Sequence, residues 1–192
     1  MVATLSEVTG SVALRNMCDE MMADPTGQRI LTDRPLVDTA SIDIQALEQL
    51  KSNTFGYAYA SFLKKNGFDP DERAEVKYIA DEELAYVMKR YRQSHDFYHV
   101  LTDLPPSIPG ELALKYVELF QTGLPVCALS ATVGSLKLGV EERRIWRESY
   151  LPWAVRVGNN EKKWMNVYWE EEFGRDLSEL RDELGIEVAP GL

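Results

Sequence analysis

Cysteine is scarce in this chain: Cys18 and Cys127 are the whole supply, and neither belongs to a Cys-x-x-Cys pair. That excludes a disulfide framework, a cysteine zinc site and a thiol redox motif, and it fits a reducing compartment. Positive charge is also short, with 21 Lys and Arg against 31 Asp and Glu and a formal net charge of −10. No broad basic surface exists to clasp a phosphate backbone, so no nucleic-acid partner is expected. Long apolar runs are missing too. The most apolar stretch, 124–138, is rich in Ala, Ser, Thr and Gly and interrupted by Pro125 and Lys137, well short of the roughly 20 apolar residues of a spanning helix. It reads as a buried core helix or as one lying against a membrane surface. The first ten residues carry neither a basic stretch with an apolar run nor an Arg-rich, acid-poor pattern, so no secretory signal or organelle presequence is legible there. Gly-x-Gly-x-x-Gly, phosphate-loop and Gly-x-Ser-x-Gly motifs are absent, and Cys127 has no base partner in the sequence.

What the chain does have is core material. Hydrophobic residues make up 45% and aromatic residues 10% of its 192 positions, without a linker, repeat or low-complexity tract, which excludes extensive disorder and suits a single domain over 1–192. The strong periodicities are helical. Thr9 or Ser11 can cap a helix carrying Leu14, Met17, Met21 and Met22, and Pro25 can open the next one. Phe55, Tyr59, Phe62 and Leu63 share a face ended by Gly67. Asp81 precedes the clearest helix, with Leu84, Val87, Met88, Tyr91, His95 and Tyr98 at steps of three and four, ending near Leu104 before Pro105-Pro106. Pro109 can start another, with Leu112, Tyr116, Leu119 and Phe120 inward, until Gly123-Leu124-Pro125. Residues 145–157 read as a helix kinked at Pro152, and Phe173, Leu177, Leu180 and Leu184 as a last helix closed by Gly185. Trp164, Tyr168 and Trp169 read as core rather than as ligand-stacking rings. The expected fold is all-α, of about seven or eight helices.

One constellation carries chemistry. The chain holds two histidines, His95 and His99, four residues apart on its best helix. At about 100° per residue, His99 lies about 40° round the helix from His95 and Asp96 about 60° beyond His99, so the three share one arc. His95 continues the Leu84, Met88 and Tyr91 stripe and so points inward, where an imidazole needs a partner. With eleven residues between it and His99, Glu111 stands in the first turn of the next helix, on its polar side with Lys115 and Glu118. A helical hairpin brings those ends together and can complete an N2O2 ligand set for a divalent cation. The spacing alone is equally compatible with a packed or surface histidine pair, a solvated Asp96 and an ordinary first-turn acid at Glu111.

The string His95-Asp96-x-x-His99, followed after eleven residues by Glu111, resembles the signature of the ubiquinone (coenzyme Q) biosynthesis protein 4 family. Flanking segments are similar as well: Asp81 to Val87, Arg90 to Arg92, Leu104-Pro105, Gly110-Glu111, Gln121 to Pro125, Leu151 to Val155 and Glu183 to Ile186. The resemblance runs from about Val2 to about Ile186. It implies a mitochondrial protein, peripheral on the matrix face of the inner membrane, working with other coenzyme Q biosynthesis proteins in a multi-subunit complex and able to form a homodimer. It also implies a chain that starts at the shared core of eukaryotic members, without their leader and upstream segment. The implied ligands of a zinc ion are His95, Asp96, His99 and Glu111, and the same four are the implied catalytic residues. Two histidines with carboxylates also suit iron(II), manganese or cobalt.

The activity implied is a lyase reaction: decarboxylation at C1 of a polyprenylated 4-hydroxybenzoate ring, coupled in the pathway to hydroxylation there. An apolar groove beside the metal, with small residues from Ala128 to Ser135 nearby, is expected to take the prenyl tail and to open toward lipid. Two other readings stay open. One is a scaffold with a structural metal that organises the biosynthetic complex. The other is a metal-dependent hydrolase, against which Asp96 replaces the glutamate of the protease motif and no further histidines exist.

Overall fold

A computed structural model describes residues 2–191, with the side chains of residues 2 and 3 left aside. The chain folds as α1 (Val2–Thr9), α2 (Ser11–Ala23), α3 (Pro25–Asp33), α4 (Ile44–Leu47), α5 (Phe55–Asn66), α6 (Glu82–Thr102), α7 (Ile108–Thr122), α8 (Pro125–Ser135), α9 (Val140–Ile145), α10 (Leu151–Gly158), α11 (Trp169–Glu172) and α12 (Leu177–Leu184). No strand occurs among the described residues; a single isolated bridge pairs Thr54 with Asp176. The fold is all-α, and its helices outnumber those that periodicity marks because α4, α9 and α11 are too short to show any.

The longest helix organises the rest. Asp81 starts α6 by accepting from the backbone N–H groups of Glu83 and Leu84 at 3.0 and 3.1 Å, and Glu82 and Glu83 favour the positive end of the helix dipole. Its 21 residues span about 30 Å and link two apolar clusters. Tyr86, Val87, Met88 and Tyr91 pack with Leu14, Met17, Met21 and Ile30 of α2 and α3. Further along, Phe97, Tyr98 and Leu101 join Phe55, Tyr59, Trp169 and Phe173. Removing the cap by Asp81→Ala is expected to cost about 1 kcal/mol, read as a lower urea midpoint with an unchanged slope.

Several stops fall where local chemistry demands them. Asp24 caps α3 through the N–H groups of Thr26 and Gly27, with Pro25 in the first turn. Gly67 and Gly185 end α5 and α12 at φ 67° and 63°, the left-handed region that favours glycine. Ser107 caps α7, so α6 and α7 are joined by a corner of five residues, 103–107. That corner sets the ends of the two helices side by side.

The inward faces differ from expectation at a few positions. Gly10 rather than Thr9 or Ser11 stands at the start of α2, and Met22 is exposed while Met21 is buried. Phe120 is exposed; Leu112, Ala113, Leu114 and Val117 form the buried face of α7, which packs against both α8 and α10. Contact between α7 and α10 is close enough that a Cβ on Gly158 would lie 2.8 Å from Phe120 Cβ and 3.0 Å from the Val117 carbonyl. The kink expected at Pro152 takes the form of a π-helical turn, Trp146–Tyr150, ahead of α10. A widened turn accommodates the ring and the missing N–H of proline. Phe173 lies outside α12, after α11.

Candidate metal centre

His99 is buried at 1% exposure in the last turn of α6. Its Nδ1 lies 3.0 Å from the Leu104 carbonyl, and its ring stacks on Phe62 with centroids 5.4 Å apart. One turn earlier, His95 Nδ1 lies 2.6 Å from Glu118 Oε1. Each Nδ1 thus has an acceptor beside it, so a neutral ring that keeps its N–H there offers the Nε2 lone pair to an ion, whereas a protonated ring donates from Nε2. Both Nε2 atoms face one residue of α7: His99 Nε2 is 3.0 Å from Glu111 Oε1, and His95 Nε2 is 3.5 Å from Glu111 Oε2. The Glu111 carboxylate between the two rings needs positive charge beside it, from protons on the imidazoles or from an ion in their place. Burial raises the Glu111 carboxyl, and the hydrogen bonds and charges of His95 and His99 pull it far below the usual carboxylate range. Burial and the Lys115 ammonium lower the His95 imidazole, yet Glu118 and Glu111 outweigh both and push it up to about 9.

The donor set fits a divalent ion. One ligand atom from each of His95, His99 and Glu111 lies within 4.8 Å of the other two. Tetrahedral ligands at about 2.1 Å from an ion stand about 3.4 Å apart, so small shifts suffice. Imidazoles whose other ring nitrogen is held by a carboxylate or a carbonyl are characteristic of metal-binding histidine. Two nitrogens and a carboxylate suit zinc, iron(II), manganese or cobalt alike.

Asp96 departs from the expected group. Its carboxylate is ion-paired with Arg73, which also donates to the Pro70 carbonyl at 3.0 Å. Helical phase explains this: Asp96 is turned about 100° from His95, toward the segment after α5 that supplies Arg73. It still lines the same cavity of about 410 Å³ as His95 and Glu111, together with Phe68, Lys115, Val126 and Ser130. The apolar part of that lining comes from Phe68, Ala74 and Val126.

The match to known families now has geometry behind it. A family model described as "Coenzyme Q (ubiquinone) biosynthesis protein Coq4" matches residues 1–190. The chain belongs to the Coq4 family. Among relatives of this Coq4 chain, the mitochondrial ubiquinone biosynthesis protein COQ4 of Arthroderma otae is 48% identical over 193 residues, covering 100% of this chain and 72% of the relative. The mitochondrial COQ4 homolog of Aedes aegypti is 45% identical over 188 residues, covering 98% and 69%. The crystal structure of a Nostoc punctiforme protein described as a ubiquinone biosynthesis protein superposes with a TM-score of 0.72 over 90% of this chain and 81% of that one. At 21% identity it supports the fold alone.

Two further residues beside this candidate centre escaped the linear spacing argument. Glu118 and Lys115 share a face of α7 with Glu111, and that face, legible as a polar side, is turned inward. Glu118 is fully buried and receives Lys115 Nζ at 2.5 Å and the Tyr91 hydroxyl at 2.8 Å. Burial raises its carboxyl, and Lys115 and His95 bring it down to about 2. Burial lowers the Lys115 ammonium, but Glu118 holds it above its ordinary value. The signal was the i, i+4, i+7 spacing of 111, 115 and 118. Beside them, burial and Glu118 push the Cys127 thiol up to about 12, so Cys127 is no nucleophile.

Proposed function

We propose that this protein acts in coenzyme Q biosynthesis as a metal-dependent carboxy-lyase that removes the C1 carboxylate of a polyprenylated 4-hydroxybenzoate. The observation that carries the reading is the convergence of His95, His99 and Glu111 on one point at the wall of a partly apolar cavity. Zinc, iron(II), manganese or cobalt fits these ligands. Asp96, on the same wall and paired with Arg73 here, would be the fourth ligand if it released Arg73. When bound, the ion supplies Lewis-acid polarisation of a ring carboxylate or phenolate.

The chain's own groups do the rest. Lys115 lines the cavity and stays charged against Glu118, which makes it a poor proton donor and a good anchor for an anionic ring oxygen. Phe68, Ala74 and Val126 give the ring and the first prenyl units an apolar wall. In the reaction the bond between C1 and the carboxylate breaks, its electron pair stays on the ring, carbon dioxide leaves, and a solvent proton bonds to C1. Hydroxylation at C1 needs a separate oxidant, which zinc cannot be.

Leu129 and Val133, exposed on α8, continue one turn beyond the cavity-lining Val126 and Ser130 and give the tail a path toward lipid. None of the described helices is long and apolar enough to cross a membrane, and the relatives are named mitochondrial. Both are consistent with a peripheral mitochondrial protein, and the reading places it on the matrix face of the inner membrane, in a complex with other biosynthetic proteins and with a second copy of this chain. The test is metal analysis of the purified protein followed by incubation with a prenylated 4-hydroxybenzoate. Release of carbon dioxide that stops on chelation and returns with the metal supports the lyase. Metal and lipid bound with no release supports the scaffold.

A further inference from the structure

We propose that Glu118 is the positioning residue of the metal centre, holding His95 by its Nδ1 so that Nε2 meets the ion; this role rests on the metal reading above. Glu118 has no exposure to solvent, and its two oxygens have separate partners. Oε1 accepts from His95 Nδ1 at 2.6 Å. Oε2 accepts from Lys115 Nζ at 2.5 Å and from the Tyr91 hydroxyl at 2.8 Å, with Cys127 Sγ 3.8 Å away. A buried carboxylate needs this much compensation, and an apolar side chain fills such a volume at lower cost to folding. Core stability therefore does not account for the cluster.

Imidazole chemistry does. A neutral ring has one N–H and one lone pair, and the acceptor on one nitrogen decides where the proton sits. Glu118 takes the proton at Nδ1, so the lone pair of His95 lies at Nε2, on the side of Glu111. The Leu104 carbonyl does the same for His99. A carbonyl cannot be removed by substitution, whereas a carboxylate can, which makes Glu118 the testable member.

Glutamine at this position keeps the shape and replaces one oxygen by NH2. Facing Lys115, that NH2 would oppose an ammonium that has only hydrogens to offer. Turned toward His95, it makes Nδ1 the acceptor and drives the ring proton to Nε2, the nitrogen the ion needs. Either arrangement weakens the centre. Tyr91→Phe is the matched control, because it removes a donor to Oε2 of the same buried carboxylate yet leaves the bond from Oε1 to His95 in place.

The full chain is titrated with Co2+, read by its visible absorption, and the bound ion is then competed with Zn2+. Glu118→Gln is expected to lose about 10–100-fold in affinity, and Tyr91→Phe to stay close to the parent protein. Equal losses in both variants, or none in Glu118→Gln, overturn the positioning role and leave the metal reading standing. Failure of the parent protein to bind Co2+ overturns both. Should Glu118→Gln not fold, long-range proton–nitrogen correlation spectra of the Zn2+-loaded parent protein decide the matter. A proton on His95 Nδ1 with Nε2 on the metal is expected, and coordination through Nδ1 overturns the role.

Discussion

Replacing His99 with alanine is expected to cost more than about a hundredfold in divalent-ion affinity, more than the loss of any second-sphere partner, and to take carboxylate release below detection. His99 is the most enclosed of the converging donors, at 1% side-chain exposure against 21% for His95 and 38% for Glu111. Its ring is held on three sides, by the Leu104 carbonyl at 3.0 Å, by Phe62 stacked at 5.4 Å, and by His95 edge-on at 4.8 Å. Water can enter the hole that alanine leaves, held by the Leu104 carbonyl and Glu111, but it does not replace an imidazole nitrogen fixed to the chain. Glu111 then keeps only His95 across from it. Metal content by mass spectrometry, Co2+ titration and the carbon dioxide assay check the outcome, with circular dichroism to confirm the fold. Retained metal with full activity would remove His99 from the centre.

Two residues away along the same helix, Phe97→Ala is expected to have its effect on stability instead. Phe97 is turned about 160° from His95 and fully buried. It meets Tyr59 at 4.6 Å and Phe55 at 5.4 Å, both edge-on, and Trp169 and Phe173 at 5.9 Å each. Truncation removes the hub of that cluster, and the rings around it are too large to close the gap. The cost is about 3–5 kcal/mol, a large share of the 5–15 kcal/mol typical of a domain. Urea unfolding should show it as a lower midpoint. Below the new melting temperature the bound metal should be unchanged, since the ligands lie on the opposite face of α6. A midpoint shift under about 1 kcal/mol would mean that the cluster repacks around the loss.

The difference between these two residues also marks what linear sequence can say. Asp81, Pro109, Gly67 and Gly185 act within one turn of the chain, by capping, by fixing φ or by tolerating positive φ, so the ends of α5, α6, α7 and α12 were legible from residue types. Short helices were not: Ile44–Leu47 and Trp169–Glu172 have four residues each, barely one turn, and are held by neighbours rather than by periodicity. Phe120 and Met22 misled because an apolar residue at helical spacing is no proof of burial. Val117 and Ala113 won the inner face of α7 because α8 and α10 cover that side.

At the site, the sequence by itself determined which residues can converge. Two imidazoles four apart share an arc of α6 whatever surrounds them, and a corner of a few residues obliges Glu111 to start the next helix nearby, because helical pitch and loop length are local properties of the chain. Only the tertiary structure decided what those groups face. Arg73 arrives from a separate segment to take Asp96, and the inward turn of α7 makes Glu118 a buried partner of His95 instead of a solvated acid. Charge and hydrogen-bond partners act over a few ångströms of space, and residues 23 positions apart become neighbours only when helices have packed.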